Sequence, residues 1–124
     1  MIEFKLDVST GIPYYRQIID QIRFGIALGQ LTIGEQLPTV RTLAVDLAIN
    51  PNTVTKAYKE LEIQRILDTQ QGTGTFIGDA RIELSQQERD KKLKSICQQF
   101  LTMASAYGFK TEEVVFELEQ NKGE

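Results

Sequence analysis

Apolar and polar residues alternate from the start of the chain. Ile2, Phe4, Leu6 and Val8 are separated by Glu3, Lys5 and Asp7, and this period of two predicts a short half-buried strand or an extended arm. Ser9-Thr10-Gly11 break it. From Pro13, a residue suited to the first turn of a helix, the period lengthens. Tyr15, Ile18, Ile19, Ile22 and Ile26 recur at helical spacing and form one apolar stripe. Arg16, Gln17, Asp20, Gln21 and Arg23 fill most of the other side. Gly25 and Gly29 weaken this helix toward its end. Leu31 and Ile33 read as anchors in the connection, and Gly34 begins a loop.

The next helix is short. Leu37 precedes a proline and so lies outside it. Thr39 is placed to cap it, Leu43, Ala44 and Leu47 supply its buried face, and it ends near Ala48. Ile49-Asn50-Pro51-Asn52 form the next break, with Asn50 as cap and Pro51 at the first helical position. Val54, Ala57, Tyr58 and Leu61 then repeat at i, i+3, i+4 and i+7, a pattern that runs to roughly Gln64. After Ile66 the period changes again. Leu67-Asp68-Thr69-Gln70 and Thr75-Phe76-Ile77 flank Gln71-Gly72-Thr73-Gly74, which predicts a β-hairpin. Gly78-Asp79 close the compact part.

Two helices complete the chain. Ser85-Gln86-Gln87-Glu88 has the form of a capping box. The helix it opens carries the apolar stripe Leu93, Ile96, Cys97, Phe100, Leu101 and Ala104, with Lys91, Lys94, Gln98 and Ser105 opposite. Gly108 suits its left-handed end. Thr111 is expected to cap the last helix, whose first-turn acids Glu112 and Glu113 complement its dipole. Val114, Val115 and Leu118 give it an apolar face.

In order, the first 80 residues read strand or arm, helix, short helix, turn, helix, hairpin. This is a mainly α chain with a winged helix-turn-helix, here expected over residues 1–80. A two-helix tail follows over 81–124. The major groove of B-form DNA, about 12 Å wide, admits one α-helix. The short helix braces the second across the backbone, the second presents its N-terminal residues to base edges, and the hairpin reaches a flanking groove or phosphates.

Composition narrows the chemistry. The 124 residues contain no histidine and one cysteine, Cys97. The commonest acid–base and metal-ligating side chain is therefore missing, and one thiol builds neither an internal disulfide nor a thiolate zinc site. Cys97 reads as a small buried apolar residue. No nucleophile–base pair or metal cluster can be assembled, so no enzyme, cofactor or metal is expected. No stretch of 18 apolar residues and no secretory signal occurs, so a cytoplasmic protein without membrane contact is expected.

The net charge of −3 counts against nucleic-acid binding, since binders often have a basic domain. Locally the balance reverses. Between Thr39 and Lys59 three basic residues face one acid, and the local field governs docking. The overall acidity and the polar second helix keep an alternative open: a winged-helix module that binds protein rather than DNA.

Gly34-Glu35-Gln36-Leu37-Pro38-Thr39-Val40-Arg41-Thr42-Leu43-Ala44 closely resembles the entry segment of the GntR family of bacterial transcriptional regulators. Asn52-Thr53-Val54-Thr55-Lys56-Ala57-Tyr58-Lys59-Glu60-Leu61 resembles their recognition helix, and Gly72-Thr73-Gly74-Thr75-Phe76 their wing. The resemblance runs from about residue 10 to 79, in order and with matching spacing. The short tail is similar to that of the small YtrA-like members, whose two C-terminal helices mediate dimerisation.

The resemblance implies a sequence-specific DNA-binding transcriptional regulator that acts as a repressor, a homodimer on a pseudo-palindromic operator. It implies that Arg41 reads a base or clamps a phosphate. Thr39, Asn50, Asn52, Thr53 and Thr55 take bases or phosphates near two helix N-termini. Lys56 and Lys59 contact the backbone, and Gln71, Gly72 and Thr73 form the wing tip. Homodimerisation is carried by Leu93, Ile96, Cys97, Phe100, Leu101 and Ala104, a stripe that independently needs a partner. Any small-molecule effector is expected between the tail helices or at the dimer interface. Many members place arginine where this chain has Pro51 or Thr55. Fewer fixed charges predict a shallower salt dependence, at roughly −0.9 per neutralised phosphate.

Overall fold

The structure is a computed structural model and describes residues 2–122. After a 3-10 turn at Val8–Thr10 come α1 (Tyr14–Ala27), α2 (Val40–Leu47), α3 (Pro51–Ile63), β1 (Leu67–Gln70), β2 (Gly74–Ile77), α4 (Gln86–Ala106) and α5 (Thr111–Gln120). These gather into two compact units, Met1–Leu84 and Ser85–Glu124. Ala80 and Ile82 pack against the first unit's core, so the segment after the hairpin stays with that unit. No helix among the described residues is long and apolar enough to cross a membrane.

The first unit is a winged helix-turn-helix. Ile18, Ile19 and Ile22 of α1 meet Leu43 and Ala44 of α2, and Val54, Ala57, Tyr58 and Leu61 of α3. Ile66, Leu67 and Ile77 close this core from the hairpin side. The two strands are antiparallel, with Leu67 opposite Ile77 and Gln70 opposite Gly74. Gly74 therefore opens β2 instead of completing the turn, which shortens to Gln71-Gly72-Thr73. Gly72 supplies the positive φ of 81° that this turn requires.

The N-terminal alternation resolves as an extended arm without a strand partner. Phe4 is buried, and Ile2 and Leu6 pack beside it, but Val8 is 79% exposed. The alternation ends early because the Asp7 carboxylate accepts hydrogen bonds from the Ser9 N–H (2.9 Å) and hydroxyl (2.6 Å), turning the chain. The Ser9 hydroxyl, then its N–H, hold the Asp7 carboxyl below its ordinary value. This support is thus present above the unfolded carboxylate's pKa and fades as pH falls through the lowered one.

Two glutamines of α1 replace the missing strand. Gln21 accepts from the Lys5 N–H at 3.0 Å and donates to the Lys5 carbonyl at 2.6 Å. Gln17 accepts from the Asp7 N–H at 2.9 Å and donates to the Asp7 and Ile12 carbonyls, each at 2.9 Å. The spacing explains the match. Four helical residues rise about 6 Å, close to the roughly 6.6 Å between alternate residues of an extended chain. Gln17, expected on the polar side, is buried for this reason. Replacing Gln17 by leucine is expected to strand three backbone groups and destabilise the arm by about 1–3 kcal/mol. Faster amide exchange at Asp7, and earlier proteolysis within residues 2–12, would register it.

Other expectations are corrected by packing. Gly25 does more than weaken α1: a Cβ there would lie 3.0 Å from Leu31 Cδ1, so the glycine forms a notch for a fully buried Leu31. With Leu31 seated, Ile33 is not an anchor and stands 69% exposed. Pro13 is the N-cap of α1 and precedes its first turn.

In the second unit α4 and α5 pack together. Ser85 Oγ accepts from the Glu88 N–H at 2.9 Å, as a serine cap should. Thr111 is not the cap of α5. Lys110 occupies that position, and its N–H donates to Glu113 at 2.9 Å. Cys97 is exposed, contrary to its apolar reading. Length is the reason. The 10 residues of α5 span about 15 Å, against about 31 Å for the 21 of α4, so α5 covers only part of its neighbour. Leu101 and Ala104 are half-buried, while Leu93, Ile96, Cys97 and Phe100 remain exposed.

Candidate nucleic-acid interface

Two capped helix starts define the candidate site. Thr39 Oγ1 accepts from the Thr42 N–H at 3.0 Å and donates to the Thr42 hydroxyl at 2.9 Å. Asn50 Oδ1 accepts from the Asn52 N–H at 2.8 Å. Each cap satisfies one N–H and leaves others of the first turn open, which gives both ends partial positive charge. Arg41 is exposed on the first turn of α2.

Between the helices the chain must turn sharply. Ala48 does so at φ 56°, a left-handed conformation, and its N–H reaches back to the Ala44 and Val45 carbonyls. The other end of α2 is held by Tyr58, whose hydroxyl donates to the Pro38 carbonyl at 2.8 Å. Burial pushes this hydroxyl's pKa well up, so it remains a donor at neutral pH. Tyr58 is therefore both core and strut: it ties the middle of α3 to the entry of α2.

α3 divides by face. Val54, Ala57, Tyr58 and Leu61 are buried, and Asn52, Lys56 and Lys59 are exposed at i, i+4 and i+7, which places these three on the opposite face. Thr53 and Thr55 flank them and are half-buried. Glu60, four residues after Lys56, borders this stripe. The Lys56 ammonium sits 3.9 Å from the Tyr15 ring centroid, a cation–π contact. Tyr15, read from its spacing as packing alone, thereby steadies one of the candidate cations. Only three-dimensional proximity between α1 and α3 shows this.

The wing extends from the same framework. β1 packs on α3. Residues 34–37 run along β2 as a third backbone layer. The Ile77 N–H donates to the Glu35 carbonyl and the Leu37 N–H to the Thr75 carbonyl, both at 2.8 Å. Gln71, Gly72 and Thr73 are exposed at the tip. On β1 the Thr69 hydroxyl bonds to the Glu62 carboxylate at the end of α3. The structure thus connects α2, α3 and the hairpin through direct contacts.

Among the described residues no group of three or more His, Cys, Asp or Glu side chains could hold a metal ion. In the second unit a groove of about 700 Å³ is lined by Phe100, Phe109, Phe116 and Leu118 together with Glu112, Glu113 and Glu117.

Comparison with known proteins accounts for this arrangement. Residues 14–77 match the model of the "Bacterial regulatory proteins, gntR family". The uncharacterized HTH-type transcriptional regulator YhcF of Bacillus subtilis is 34% identical over 107 residues, 86% of this chain and 88% of YhcF. The HTH-type transcriptional repressor YtrA of the same organism is 44% identical over 75 residues, 60% of this chain and 58% of YtrA. Among solved structures, AraR(DBD) in complex with operator ORX1 superposes with a TM-score of 0.51 at 27% identity, covering 63% of this chain and 93% of that one. The relatives named are transcriptional regulators and not enzymes.

Proposed function

The chain belongs to the gntR family of bacterial regulatory proteins, a DNA-binding regulator with a YtrA-like relative, and from that premise we propose that it represses transcription as a homodimer on a pseudo-palindromic operator. The observation that carries the proposal is the exposed stripe of α3. Asn52, Lys56 and Lys59 share one helical face behind a capped, open N-terminus. That is the arrangement a recognition helix needs to lie in a major groove.

In this reading Arg41 addresses a guanine edge or a phosphate from α2. Asn50, Asn52, Thr53 and Thr55 meet bases and phosphates at the leading end of α3, and Thr39 meets phosphate at the start of α2. Lys56 and Lys59 neutralise backbone charge. Gln71, Gly72 and Thr73 reach the flanking groove. Occupying a promoter in this way excludes polymerase, and the repressor named among the relatives supports that sign of regulation.

Dimerisation is assigned to the second unit. Leu93, Ile96 and Phe100 are 63%, 42% and 53% exposed, a run of apolar side chains that a second copy would cover. Cys97, Leu101 and Ala104 continue the same stripe. Two-fold symmetry then matches the two half-sites. Phe100→Asp is expected to weaken self-association at least about tenfold. Light scattering would show monomers, and the first unit's melting transition would stay in place.

The groove beside α5 is where an effector fits this reading. Its apolar wall and three carboxylates suit an amphipathic cation. The central test is a selection of genomic fragments by the purified chain at low salt, followed by band-shift on the fragment upstream of its own gene. Recovery of a two-fold-symmetric sequence is the expected result. Retention of no fragment would refute the proposal.

A further inference from the structure

The wing is a lever. From Leu67 at the buried base to Gly72 at the tip is five residues, roughly 16 Å at the rise of an extended chain. The base is fixed by Leu67 and Ile77, which are buried, and by the backbone bonds from residues 34–37. A small rocking at that base moves the tip several times as far. The far end needs a second point of support if it is to meet a groove at a set distance from α2.

One side chain supplies that support. Gln36 Nε2 donates to the Thr73 carbonyl at 3.2 Å, beside the tip. Its backbone forms an antiparallel bridge with Phe76. Its amide also occupies the place a Cβ on Gly74 would take, and Gly74 holds a φ of 143° that favours glycine. Gly74 and Gln36 thus fit as notch and strut. Gln36 lies three residues before the Thr39 cap and five before Arg41, so the strut joins the entry of α2 directly to the wing tip.

We infer that Gln36 is a positioning residue that fixes the distance between the α2 contact and the wing contact on DNA, and with it the choice of base pairs flanking each half-site. This rests on the DNA-binding reading above. It adds a residue that need not touch DNA, and it predicts which part of the footprint depends on that residue.

Gln36→Leu keeps the size and removes the donor. In the free chain, backbone order parameters at Gln71, Gly72 and Thr73 are expected to fall while those of α3 stay unchanged. On the selected operator, hydroxyl-radical protection is expected to fade over the flanks and persist at the half-site centres. Affinity is expected to drop roughly 2- to 10-fold, the net worth of one hydrogen bond. Gln36→Arg, which restores a donor, is expected to recover wing order in the free chain.

Unchanged order parameters in the leucine variant would overturn the strut. So would a uniform loss of protection across the operator, which a general weakening of the fold produces. If the unaltered chain binds no DNA, the reading of the function fails, and the free-chain measurement still decides the role of Gln36.

Discussion

Arg41→Ala is expected to lower affinity for the operator by about 1–3 kcal/mol per half-site, roughly 5- to 150-fold. The thermal transition of the first unit should hardly move. Arg41 is exposed on the first turn of α2, and exposed substitutions away from caps and cores typically change stability by less than about 0.5 kcal/mol. Arg41→Lys separates two modes of contact. A guanidinium bonding a guanine edge through two parallel hydrogen bonds is not replaced by an ammonium. A phosphate clamp largely is. In the first case the lysine variant loses discrimination at one base pair; in the second the lysine variant binds nearly as well as the unaltered chain, and only Arg41→Ala weakens binding evenly and lowers the salt slope by about 1. Full affinity in Arg41→Ala, measured by band-shift at fixed salt, would remove Arg41 from the interface.

Leu61→Ala should have the opposite signature. Leu61 is fully buried on α3, the helix that packs on α1, α2 and β1. Removing three carbons there is expected to destabilise the unit by about 2–5 kcal/mol. A small domain holds only about 5–15 kcal/mol in total. At roughly 4–8 °C per kcal/mol the melting temperature falls far enough to see in any thermal scan. DNA binding then fails with the fold, and returns on cooling or at low denaturant. Leu61→Met, of similar volume, should cost under about 1.5 kcal/mol and keep binding. An alanine variant melting with the unaltered chain would mean that the core is not organised around α3. Together the two substitutions separate loss of contact from loss of structure.

The local rules of the chain carry far here. Asn50 before Pro51, and Thr39 after Pro38, place two helix starts to the residue, because capping depends on neighbours only two or three positions away. The stripe Val54, Ala57, Tyr58, Leu61 fixes which side of α3 is buried, and so which side is left exposed. The hairpin follows from the change of period and the glycines at its turn. All of these are short-range properties.

What failed was the partner of each side chain. Gln17 and Gln21 looked like an ordinary polar face, and nothing nearby in sequence says that an extended arm ten to sixteen residues earlier supplies their hydrogen bonds. By propensity Gly25 is a weak point of a helix, and only the fold seats Leu31 against it. Cys97 looked buried because its stripe is apolar, but burial needs a covering element, and α5 is half the length of α4.

Sequence alone thus determined the helices and the hairpin, the caps of α2, α3 and α4, the buried faces of α2 and α3, and the family resemblance, since each is written in patterns a few residues long. Tertiary structure alone decided that Tyr58 ties α3 to the entry of α2, that Tyr15 holds Lys56 and that Gln36 supports the wing. Those contacts join residues 20 to 41 positions apart, and only the folded chain brings them within bonding distance.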